Sequence, residues 1–302
     1  MSTVLQFLEV TFGPLVVIFT ASNLAVMGLQ VKSAEVIAGL KNPKILVLIF
    51  LWGWVLGPAL GYLIAWALPL SEAFVIGLLL YSLAPCAPFF PLMVPKARGD
   101  MSFAGALVPL VSVGTVIFMP LMAPVLITGV TLSAWAIAKM FLVSVLLPLA
   151  IGAAIREYAR TVATKILPAV NLIAKLSTLA TIVYACALYW REMLATAGSF
   201  GLLSMTIFMV VMGVITYRRF GFGLKQSERS VMSLAMLTRN GAVVLLAALT
   251  IPDVDPGIIT YVVMFVIASI VVAAIAARIF GKLAGGGGTV GSGSATPDRM
   301  AP

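Results

Sequence analysis

The chain has 302 residues, 62% of them hydrophobic and 10% charged, against roughly 25% charged in a soluble domain. It contains no His and two Cys, Cys86 and Cys186, so neither a Cys/His metal cluster nor a disulfide framework is expected. The net charge of +9 is carried by residues lying between apolar runs, where they act as membrane topology signals rather than as a nucleic-acid surface.

Runs of 18 or more apolar residues are long enough to cross a bilayer. The pattern predicts an all-α integral membrane protein with about nine transmembrane helices, at 6–30, 44–68, 72–96, 102–129, 133–155, 166–190, 197–217, 229–251 and 256–280. The first run follows Glu9 rather than a positive charge and is too long for a signal-peptide core. It carries Thr20, Ser22 and Asn23. The second holds Trp52 and Trp54, which together with Phe89, Phe90 and Tyr184 are candidates for an apolar lining or for packing.

The third run has prolines at 85, 88, 91 and 95. Each removes a donor and clashes with the preceding turn, so a regular helix cannot continue there. The fourth run carries Pro109, Gly114, Thr115, Pro120 and Pro124, read either as packing or as part of a polar site. Lys139 in the fifth run is expected to snorkel outward. In the sixth run, Lys175 is expected to snorkel or to support a substrate, and Asn171 holds a place comparable to that of Asn23. The eighth run has a polar centre at Thr238, Arg239, Asn240 and Gly241, again suggesting a break. The Gly/Ser-rich stretch 284–302 cannot bury a core and is expected to be a disordered cytoplasmic tail.

The odd connections are basic. They hold Lys32, Lys41 and Lys44, then Lys96 and Arg98, then Arg156, Arg160 and Lys165, then Arg218, Arg219, Lys225 and Arg229, and Arg278 and Lys282 follow the last helix. Among the even connections only the sixth carries a basic residue, Arg191. This places the N-terminus outside and the C-terminus in the cytoplasm. The expected location is the inner (plasma) membrane, with the bilayer as surroundings.

Arg239 lies 10 residues after Arg229 and 14 before Asp253, about 15 Å deep at 1.5 Å per residue. An arginine cannot shed its charge, and a charge at that depth faces the bundle interior or a wet cavity. Glu9, Glu72, Asp253 and Asp255 lie at the outer ends of the predicted spans and no Asp or Glu lies deeper, so no carboxylate proton relay is expected. Two interrupted helices of opposite direction, one in each half, point to an inverted-repeat transporter whose broken ends meet at the midplane. The candidate substrate-binding residues are therefore Arg239, Asn240, Thr238, Cys86, Pro85, Pro88, Asn23, Thr115, Asn171 and Lys175. Arg239 either pins the two breaks through their free carbonyls or contacts an anion directly, and the two roles are compatible.

Over residues 10–280 the chain resembles the bile acid:sodium symporter family. The likeness rests on Lys96-Ala97-Arg98-Gly99-Asp100 after a Pro-rich broken helix, on Val26-Met27-Gly28-Leu29, and on Arg239-Asn240-Gly241. The resemblance implies two inverted repeats, here about 6–130 and 133–283 of a transmembrane domain over 1–283, with crossed broken helices and the first helix of repeat one missing. It also implies sodium sites, from which this chain departs. The family's Thr, Ser and Asn ligands become Pro88, Phe90 and Pro91, its Glu becomes Ala235 and its Gln becomes Arg239, while Asn240 remains.

The expected function is transport of a small or amphipathic organic anion by alternating access, without a cofactor and without the usual sodium sites. Two alternatives stand beside it. One is arsenite efflux through Cys86, since arsenite permeases of similar architecture carry a Cys in that helix. The other is a non-transporting membrane receptor. With no His and no buried nucleophile arrangement, an enzyme is not expected.

Overall fold

The computed structural model describes residues 3–197, 199–218 and 223–286. The elements, in chain order, are α1 (Thr3–Gln30), α2 (Ser33–Leu40), α3 (Pro43–Ala67), α4 (Glu72–Ser82), α5 (Met101–Leu126), α6 (Ala134–Tyr158), α7 (Arg160–Ala197), α8 (Phe200–Arg218), α9 (Gln226–Leu237), α10 (Gly241–Ala248) and α11 (Pro256–Gly286). Seven of these, α1, α3, α5, α6, α7, α8 and α11, are long and apolar enough to cross a membrane. Among the described residues the only strand-like feature is one antiparallel bridge, Pro85 to Arg239.

Polar residues start the apolar helices where donors would otherwise be orphaned. Asn42, Ser71, Asp100 and Ser133 each accept a hydrogen bond from the amide three residues on. Two helices widen into π turns, over Leu51–Leu56 and Leu142–Leu146. Each π turn is followed by a proline, Pro58 or Pro148, which cannot donate to the turn before it.

The five basic segments share one end of the bundle. The Ser33 hydroxyl donates to Glu157 at 2.6 Å and the Ser102 hydroxyl to Glu35 at 3.2 Å. The Asp100 amide donates to the Ser227 carbonyl at 3.4 Å. Lys44 lies beside Gly223, and the Lys96 carbonyl lies against Gly281. The other end gathers the remaining connections: Tyr62 donates to the Leu126 carbonyl, Glu72 lies at Gly129, and Ala73 lies at Gly257.

α1 packs closely on α6 and α7. At Gly28 and Gly152 the backbones of α1 and α6 meet without side chains between them, a close approach that only small residues permit. Ser22 and Asn23 of α1 reach Ser177 and Thr178 of α7 at 3.1 and 3.2 Å. α11 packs against α4, α8, α9 and α10, so the interrupted segments lie inside a shell of long helices.

Three details differ from the sequence expectation. The first connection is not a loop, because α2 folds over α5 and buries Gly39 there. α7 starts earlier and runs further than 166–190, so Arg191 lies on the helix. Its backbone departs from helical geometry at Tyr189 (φ −121°, ψ 25°), where the ring stands edge-on to Phe12 at 6.0 Å. α11 continues to Gly286, so the first residues of the expected tail are helical, and the rest of that tail lies outside the described residues.

Candidate functional site

The site begins with two interruptions. α4 ends at Ser82, after which Pro85 lies in the bridge, Cys86 takes a left-handed backbone (φ +73°), and Phe90–Met93 form one 3-10 turn. The prolines at 88, 91 and 95 explain why no α-helix resumes. In the second segment α9 ends at Leu237. Thr238 is extended, and Asn240 starts α10 by accepting from the Val243 amide at 3.4 Å. A left-handed cysteine is uncommon and persists where surrounding bonds over-determine it.

Those bonds come from the other segment. The Cys86 amide donates to the Ala235 and Thr238 carbonyls at 3.0 and 3.1 Å, and the Asn240 amide donates to the Ala84 carbonyl at 2.8 Å. The Ala87 amide donates to the Thr238 hydroxyl at 3.3 Å, and that hydroxyl donates to the Leu234 carbonyl at 2.7 Å. Each break therefore satisfies the other's backbone, the condition for irregular chain in an apolar interior. The Thr20 hydroxyl of α1 adds a link to the Ala242 carbonyl at 3.3 Å.

Arg239 is the one fully buried charged side chain among the described residues, and no Asp or Glu there is buried. Its Nη1 donates to the Ser82 carbonyl at 2.9 Å. Its guanidinium carbon lies 4.9 Å from the centre of the Phe208 ring. The end of α4 supplies part of the missing counter-charge, since Ser82 is the last residue of α4. A helix C-terminus carries about half a negative charge, so this end offsets part of the guanidinium's charge. Nε and Nη2 remain buried without a hydrogen-bond partner.

The geometry is the pinning arrangement, with two donors to spare. It brings together Arg239, Asn240, Thr238, Cys86 and Pro85, all buried, with half-buried Pro88 close by in the chain. The other candidates stand elsewhere. Thr115 is buried, but its hydroxyl turns back to the Val111 carbonyl of its own helix. Asn23 donates to the Phe19 carbonyl and to Thr178. Asn171 is half-buried and Lys175 exposed, both on α7.

Three residues at the crossing, Phe208, Ser82 and Gly57, carried no site role in the sequence reading, and Trp54 was read there only as a candidate for an apolar lining or for packing. Phe208 supplies the ring face under Arg239. Trp54, from the π turn of α3, donates its indole N–H to the Leu83 carbonyl at 3.1 Å. Ser82 contributes a carbonyl, which sequence patterns do not mark. Gly57 leaves room for the guanidinium, because a Cβ there would lie 2.9 Å from Nη2 and 3.0 Å from the Ser82 carbonyl. The Gly57-Pro58 pair after two tryptophans was the available signal for the last. Phe90 and Trp52 pack in the core.

The family model described as "Sodium Bile acid symporter family" matches residues 17–196. That span includes the first interrupted segment and stops before the second. Two curated plant proteins are similar, both named "Probable sodium/metabolite cotransporter BASS3, chloroplastic". The Arabidopsis thaliana protein is 28% identical over 50% of this chain and 36% of its own length. The Oryza sativa subsp. japonica protein is 24% identical over 63% of this chain and 45% of its own length. The chain thus spans less than half the length of these relatives.

Proposed function

Because the chain belongs to the sodium bile acid symporter family, a family of membrane transporters rather than enzymes, we propose that it carries a small or amphipathic organic anion by alternating access, with Arg239 as a resident cation in place of sodium. On this reading the nine segments are nine membrane crossings in two inverted repeats, and the shared basic end is cytoplasmic. Substrate binds between the crossing and the group formed by α1, α6 and α7.

One observation carries the proposal: a permanently charged guanidinium, without a buried acid beside it, lies on the C-terminal carbonyl of α4, where the two interrupted segments bridge. A sodium ion held by free carbonyls needs the same negative field. Of the residues that the resemblance assigns to sodium, five are here Pro88, Phe90, Pro91, Ala235 and Arg239, none of which offers a side-chain oxygen; Asn240 remains, and its oxygen caps α10. The two unpartnered donors, Nε and Nη2, suit a carboxylate that reaches the crossing once the site opens.

The relatives' names speak of sodium and a metabolite, so the test is direct. A thermal-shift screen of organic acids on the purified protein selects the ligand that most stabilises the native state. Uptake of that acid into proteoliposomes is then measured with sodium replaced by choline at a fixed membrane potential. Undiminished uptake supports the resident-cation reading; collapse in choline refutes it. Failure of every solute to accumulate or exchange favours a receptor. The metalloid alternative rests on Cys86 alone. A Cys86→Ser variant that keeps arsenite resistance unchanged excludes it.

A further inference from the structure

At the basic end, away from the crossing, Lys96 and Arg98 face Arg278 and Lys282 across an open cavity of about 350 Å³ floored by Gly281. The first pair comes from the segment between α4 and α5, the second from the last turns of α11. The two elements are in backbone contact, since the Lys96 carbonyl lies where a Cβ of residue 281 would be. Arg98 has a left-handed backbone (φ +51°), uncommon for a bulky residue. The turn is held by bonds from the Arg98 amide to the Pro95 carbonyl at 3.1 Å and from the Gly99 amide to the Val94 carbonyl at 3.0 Å. Four cations are thus gathered on a built surface.

Among the described residues nothing acidic lines the cavity. The acid nearest in sequence, Asp100, is engaged as the cap of α5, its Oδ1 accepting from the Phe103 amide at 3.0 Å. The single ion pair among the described residues, Lys32 to Glu35, involves none of these cations. Beside them on α11, Ile275, Ile279 and Leu283 are all exposed. Their spacing of four residues puts them along one stripe that leads from the apolar span up to the cations. Leu92 is exposed as well. A phosphate above acyl chains presents the complementary pattern.

We propose that Lys96, Arg98, Arg278 and Lys282 form a binding site for the phosphate of an anionic phospholipid headgroup, with its acyl chains along the Ile275–Ile279–Leu283 stripe. The cavity is large enough for a headgroup, and basic pockets between helices at the membrane surface recognise such lipids, at about a fivefold gain per cation. A bound headgroup tethers α11, which packs on both halves of the second interrupted segment, to the loop that follows the first.

Native mass spectrometry of the full chain in detergent tests this with phosphatidylglycerol, phosphatidylcholine and inorganic phosphate as separate additions. Wild type should retain phosphatidylglycerol preferentially. The exposed-site variant R278Q/K282Q should lose about 30-fold in that retention, two cations at about fivefold each. The control R156Q/R160Q, from another basic segment, should stay within about twofold of wild type. Equal retention of phosphatidylcholine, or an equal loss in the control, overturns the proposal. Displacement of phosphatidylglycerol by millimolar phosphate overturns the lipid assignment in favour of a free-anion site.

Discussion

Replacing Arg239 by Met removes the charge while keeping most of the volume, and the structure sets out both sides of the balance. The guanidinium gains one charged hydrogen bond at 2.9 Å, worth about 1.5–3 kcal/mol. It also gains a cation–π contact at 4.9 Å, worth up to about 2 kcal/mol when desolvated. The C-terminus of α4 adds about 0.3–1 kcal/mol. Against this stands a burial cost of several kcal/mol for one ion, with Nε and Nη2 unpartnered. The terms nearly cancel, so R239M should melt within the equivalent of about 2 kcal/mol of wild type. Truncation to Ala, which also leaves a cavity, should cost more, in the range of about 2–5 kcal/mol. Transport should fall at least 100-fold in both, because the crossing then offers no cation for the substrate or in place of sodium. The assay is detergent melting beside uptake of the stabilising acid into proteoliposomes. Wild-type uptake by R239M, or a loss of stability beyond about 4 kcal/mol, refutes the balance.

Three further outcomes are expected. Gly57→Ala places a Cβ 2.9 Å from Arg239 Nη2 and 3.0 Å from the Ser82 carbonyl; it should cost about 1–3 kcal/mol by overpacking and slow transport, whereas a neutral variant would show that the space is not needed. A235E/R239Q restores the two side chains that the resemblance assigns to sodium in the second interrupted segment and that this chain lacks. It should melt higher in sodium than in choline, by about 1.4 kcal/mol at ten times Kd, while wild type shows no difference. With no His in the chain and no buried Asp or Glu among the described residues, no ordinary side chain at the site titrates between pH 5 and 8. Uptake of an acid that is fully ionised over that range should therefore be flat from pH 6 to 8, and a tenfold change would implicate a carboxylate outside the crossing.

Charge and proline carried most of what was legible beforehand. A charge in an apolar run is costly enough to mark its own position, and Arg239 was found that way. Prolines break helices for local reasons, so the interruption after Ser82 needed no tertiary knowledge. The alternation of basic connections anticipated the shared end at which Ser33, Glu157, Ser102 and Ser227 meet. What stayed hidden depends on contacts between segments distant in sequence. Phe208 is an ordinary aromatic until Arg239 lies over it. The Ser82 carbonyl is a backbone atom, and the left-handed turn at Cys86 follows from bonds to Ala235 and Thr238. α2 was missed because it is only eight residues long and lies between lysines that read as a loop.

The guanidinium over Phe208 is covalently part of the chain, and that limits the energetics of the cycle. A cation that never dissociates cannot run down a concentration gradient, so on the resident-cation reading the protein has no sodium-motive force to spend. The steady state is then set by the cargo's own gradient and the voltage. At 100 mV, negative inside, a monovalent anion is opposed on entry by about 2.3 kcal/mol, roughly a fiftyfold bias towards the exterior. Such a carrier works as an exporter or an exchanger, and it becomes a concentrating importer only if another solute is coupled to the cargo.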